Sequence, residues 1–142
     1  MPMIVSVPLT LVPLAVYNII AFGVLGSFPG DPWTAPIFTA ELVSGARFTL
    51  IVGDLMIIAA LVLLFVEILK ATRTGVVAMV DHILSVLVFV AYLVEFLSVR
   101  EAAHSVFFIL TVVALIDVVA GFSITIAGAR RDIAFGHGNP RL

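Results

Sequence analysis

Apolar residues gather along this chain in four runs, over about residues 3–26, 47–69, 76–98 and 105–128, with polar residues in the stretches between. A bilayer's hydrocarbon is about 30 Å thick and a helix rises about 1.5 Å per residue, so roughly 20 apolar residues cross it. Each run meets that length. The pattern predicts an all-α integral membrane protein. Its four-transmembrane-helix bundle forms a single membrane domain over residues 1–142, with short hairpin connections and one longer Pro-rich loop.

The first run carries no charge. Pro8 and Pro13 are expected to kink it or delay its start, because proline lacks the N–H a helix needs. At about 100° per residue, Ser6, Thr10, Pro13 and Tyr17 share one face, with Asn18 beside them. No Lys or Arg precedes the run and no small-x-small cleavage site closes it. It reads as a retained helix rather than a signal peptide.

Residues 27–46 break the pattern. Pro29, Gly30, Pro32 and Pro36 forbid a continuous helix, and Asp31 and Glu41 keep the segment out of hydrocarbon. Phe28, Trp33 and Phe38 suit a headgroup-level position. An ordered surface loop is expected, with a short interfacial helix over about 35–44. The sharper reading is a lid over a polar cavity or a contact for a partner.

In the second run Arg47 and Asp54 lie about two turns apart on one face, a candidate ion pair. Glu67 precedes Lys70 by three and is expected to anchor the helix end at the interface. The linker ATRTG is short and makes the second and third runs an antiparallel hairpin. Asp81, Ser85, Tyr92 and Glu95 form a polar stripe within about 80° of the third helix, and His82 falls off it. After the VREAAH turn, the fourth run places Leu110, Ala114, Asp117, Gly121 and Gly128 within about 60°. Small residues beside an acid let a neighbouring helix come close. The tail, 129–142, is polar. There are no internal repeats.

Composition agrees. The chain is 63% hydrophobic and 11% charged, with a mean hydropathy of +1.30. Soluble domains average roughly 45–50% apolar and about 25% charged, so lipid must be the solvent for most of this chain. No basic tract offers a nucleic-acid surface, and the absence of cysteine removes disulfides, thiolate metal sites and covalent haem attachment.

Charge adds orientation. Lys70, Arg73, Arg130, Arg131 and Arg141 fall on the side of the termini, and Arg47 and Arg100 on the other. By the positive-inside rule both termini are cytoplasmic, with 27–46 and 99–104 outside, and the expected location is a bacterial inner membrane. Asp117 sits near the middle of its run, where a carboxylate costs roughly 2.5–3.5 kcal/mol on insertion scales. Asp54, Tyr92, Tyr17 and Asn18 are expected at a similar depth, with Glu95 at the mouth. This candidate proton- or ion-binding constellation has Asp117, Asp54 and Glu95 as its acids. The sober alternative is interhelical hydrogen bonding worth about 1 kcal/mol.

His82 and His104 lie near opposite ends of the third run, too far apart to ligate one haem, and are expected at the headgroups. No catalytic or metal motif occurs, and no cofactor is expected. The layout of four spans, a long loop after the first, a basic hairpin and a short basic C-terminus resembles several families of small bacterial inner-membrane proteins. Among them is the phosphate-starvation-inducible E family. The likeness is one of spacing and assigns no residue a role. The leading expectation is a non-enzymatic, self-assembling or accessory subunit of a membrane complex, a homo-oligomer or part of a larger assembly. The alternative is a proton- or cation-coupled transporter or channel built on the buried carboxylates. A quinone- or lipid-binding enzyme subunit is the third reading.

Overall fold

A computed structural model of the chain describes residues 7–23 and 30–136. Among these are four α-helices: α1 (Leu11–Ala21), α2 (Val52–Lys70), α3 (Val76–Ser98) and α4 (Ser105–Gly136). The chain is mostly helical, as expected. Three helices are long and apolar enough to cross a membrane: α2, α3 and the Ser105–Arg131 part of α4. α1 has 11 residues, about 16 Å of helix. The rest of the expected first span, 3–6 and 24–26, lies outside the described residues, apart from the turn residues flanking α1.

Pro8 delays the first helix rather than kinking it. Residues 8–11 form a turn in which the Leu11 N–H donates to the Pro8 carbonyl at 3.1 Å. Pro13 falls in the first helical turn, where a missing N–H forfeits no intrahelical bond.

α4 is the central helix. It packs along both α2 and α3, which scarcely touch each other. Its buried residues Val106, Phe107, Leu110, Val113, Ala114, Asp117 and Val118 recur at three- or four-residue spacing. Phe108, Ile109, Val112, Leu115, Ile116 and Val119 stand exposed on its other side. In water such a surface would drive aggregation; in lipid it is a matched solvent contact.

The helix expected over 35–44 is not formed. Strands β1 (Pro36–Glu41) and β2 (Arg47–Ile51) pair antiparallel, Phe38 opposite Leu50 and Glu41 opposite Arg47. Apolar and polar residues alternate there with the period of a strand, 2, rather than 3.6. Gly45 closes the turn at φ +82°, a conformation open to glycine. β2 takes up Arg47–Ile51, so the second helix starts at Val52, not at 47.

Candidate functional site

Three carboxylates converge where the end of α2, the start of α3 and the middle of α4 meet. Glu67, Asp81 and Asp117 are 2%, 8% and 4% exposed. The Lys70 ammonium lies 3.2 Å from Glu67 Oε2 and 3.5 Å from Asp81 Oδ1, and donates to the Val7 carbonyl at 2.9 Å. The Leu9 N–H donates to Glu67 Oε2 at 2.9 Å. The non-helical turn ahead of α1 thus lies across the cluster, and its free backbone groups are partnered by it. Thr10, the last residue of that turn, is buried, and its carbonyl accepts from the Tyr92 hydroxyl at 2.7 Å.

A cavity of about 20 Å³ opens among these groups, lined by Glu67, Asp81, His82, Ser85, Asp117 and Thr125. That is room for about one water and none for a quinone ring. The Ser85 and Thr10 hydroxyls lie beside the Asp117 carboxyl. Among the described residues, Asp117 Oδ2 nevertheless has no hydrogen-bond partner, and neither have Thr10 Oγ1 and His82 Nε2. Buried polar atoms are rarely left so, since each costs about 1–3 kcal/mol. Among the described residues no three His, Asp or Glu side chains are placed to hold a metal ion together. The arrangement suits a proton, a water or a small monovalent cation taken up by carboxylate oxygens.

The expected constellation divides in two. Asp117 joins Glu67, Asp81 and Lys70, and Asp54 lies at the far end of α2. There Asp54 Oδ2 accepts from the Ile51 N–H at 3.2 Å and caps the helix start. The Arg47–Asp54 ion pair is not formed, because Arg47 belongs to β2 and stands opposite Glu41. Asn18 lies beside Glu95, while its amide donates to the Leu14 carbonyl at 2.9 Å. Tyr17 is fully buried and donates to the Glu101 carbonyl at 2.8 Å. Its ring stacks on Trp33 with centroids 4.5 Å apart and meets Phe107 edge-on at 4.8 Å. Tyr92 links the two groups through Thr10.

Glu67 and Lys70 pair, as expected, and the pair is buried in the cluster at the end of α2. A further expectation is corrected. His82 is not a solvated headgroup-level residue. Its ring meets Phe122 edge-on at 4.2 Å and covers Gly121, where a Cβ would come within 2.6 Å of Nδ1. Asp81, Ser85 and Gly121 already stood out by helical spacing. Glu67, Lys70 and Thr10 became part of the site only through the packing of α2 and the turn 8–11.

On the opposite end, Asp31 Oδ2 lies 2.8 Å from His104 Nε2, and Asp31 Oδ1 accepts from the Trp33 N–H at 3.0 Å. His104 Nδ1 accepts from the Val106 N–H at 3.0 Å, which leaves the ring proton on Nε2, facing Asp31. Partial burial opposes ionisation of Asp31, but the bonds from His104 and Trp33 outweigh it and hold the carboxyl below its usual range. The pair fastens the buried Trp33 over Tyr17.

Compared with family models, curated proteins and solved structures, the chain has no significant match to any of them.

Proposed function

We propose that the chain is a four-span protein of a bacterial inner membrane, with both termini cytoplasmic, that binds a proton or a small monovalent cation at Asp117 and couples it to transport. The observation that carries this reading is Asp117 Oδ2, without a hydrogen-bond partner among the described residues, in a cavity with room for about one water. Three carboxylates face a single lysine, so the fully ionised cluster would hold two uncompensated negative charges. In a buried site that imbalance costs several kcal/mol and favours an occupant that carries positive charge. A four-helix core is narrow, so transport is assigned to an assembly of copies of this chain.

The accessory-subunit reading takes second place because two of the features that suggested it are occupied within the chain. Gly121 on the small-residue face of α4 is covered by His82, and Trp33 of the 27–46 loop is packed on Tyr17.

Purified protein in liposomes loaded with a pH-sensitive dye tests the proposal. Proton or sodium flux driven by an imposed gradient is expected from the native protein. Asp117→Asn should abolish it while leaving helix content and elution volume unchanged. Absence of proton, sodium and potassium flux in the native protein, or equal flux in the variant, would overturn the reading.

A further inference from the structure

The β-hairpin is cleanly two-faced. Phe38, Ala40 and Leu42 share one side with Leu50, Phe48 and Ala46, the residues that they pair with. Thr39, Glu41, Arg47 and Thr49 share the other, where the two threonine hydroxyls are 3.2 Å apart. The first face is wholly apolar; the second is polar from Thr39 to Thr49, with Ile37 and Ile51 only at the strand roots, beside the irregularity between Pro36 and Phe38. Yet Phe38, Leu42 and Phe48 are 55%, 49% and 44% exposed. A lone two-stranded hairpin is marginal at best in water and needs a surface over its apolar side.

We propose that this surface is the bilayer: the hairpin lies in the boundary between headgroups and acyl chains at the end where α2 begins, its Phe38–Phe48 face toward the chains. The attachment of the hairpin argues for it. Ile51 of β2 is followed directly by Val52 of α2, and the Val52 N–H donates to the Ala35 carbonyl at 3.0 Å. Both strand roots are therefore fixed to the first turn of a membrane-length helix. Phe48, four residues earlier, lies within about 13 Å of that turn at about 3.3 Å per strand residue. The exposed apolar side of α2 begins at Leu55 and Ile58, so apolar surface runs on from hairpin to helix. The polar face carries one acid opposite one base, Glu41 and Arg47, and suits the headgroup region without net charge. An amphipathic element of this kind seats about 5–10 Å deep.

The proposal rests on α2 lying in the membrane and not on the carboxylate site. The chain has no cysteine, so single nitroxide labels can be placed cleanly. Labels at Thr39→Cys, Ala40→Cys, Phe48→Cys and Thr49→Cys, with Leu61→Cys on α2 as reference, would be measured in phosphatidylcholine–phosphatidylglycerol vesicles by power saturation against oxygen and a water-soluble nickel chelate. The oxygen-to-nickel accessibility ratio should be severalfold higher at 40 and 48 than at 39 and 49. Equal ratios on the two faces, with position 61 still in lipid, would overturn it. So would labels at 40 and 48 shielded from both reagents with dipolar broadening, the mark of a second copy on this face. A water-exposed label at 61 would instead overturn the membrane placement itself.

Discussion

Lys70 is the residue on which the carboxylate cluster balances. Its ammonium is the cation that Glu67 and Asp81 share, and all three are largely withdrawn from water. Removing one partner of a buried ion pair leaves a bare charge, at about 3–5 kcal/mol. Lys70→Met should destabilise the protein by that amount in detergent-titrated unfolding followed by circular dichroism. Adding Glu67→Gln to it should restore about half or more of the loss, because the stranded charge goes too. At the other end Asp31 makes a pH prediction. Its carboxyl is held below the usual value, so the stabilisation it lends is present above about pH 4, the ordinary aspartate value. That stabilisation disappears as pH falls through the lowered value. Trp33 is the sole tryptophan, so its fluorescence should report undocking from Tyr17 below about pH 4. Asp31→Asn should flatten that acid limb. Single residues were partly readable in advance. Asp117 declared itself by being an acid in an apolar run, and Asp81 and Ser85 by helical spacing. Thr10 and Glu67 did not, because their roles depend on which backbone turn and which helix end come to face them.

At the level of elements, helices were readable and their register against one another was not. Period and length give α2, α3 and α4 directly. Depth estimated from run midpoints set Asp54 close to Asp117, but β2 takes five residues from the second run, and α4 continues well past the point where α3 begins. Those shifts slide Asp117 toward the other end of α2. The Pro, Gly and aromatic residues of 27–46 point to an ordered surface loop with a short interfacial helix, but the apolar–polar alternation over 38–50 has the period of a strand and prevails. Close approach of α3 and α4 is set at Gly121, beneath the His82 ring. Gly121→Leu should force the two helices apart at the cluster and cost about 1–3 kcal/mol by the overpacking seen in other cores. The same unfolding titration measures it, and Gly128→Leu, where a Cβ meets nothing within 4 Å, is the matched control with a much smaller loss.

At the scale of the molecule, the described helices are arranged on α4. α2 and α3 hardly touch, and each is completed by α4. Biosynthesis inherits that arrangement. The ribosome delivers α2 and α3 to the membrane before their common partner exists, with Glu67, Lys70 and Asp81 already on board. Until α4 arrives, those polar groups have only each other and the turn at 7–10. The packing of α2 and α3 onto a common helix therefore waits for α4. Slow translation ahead of residue 105 would lengthen that interval.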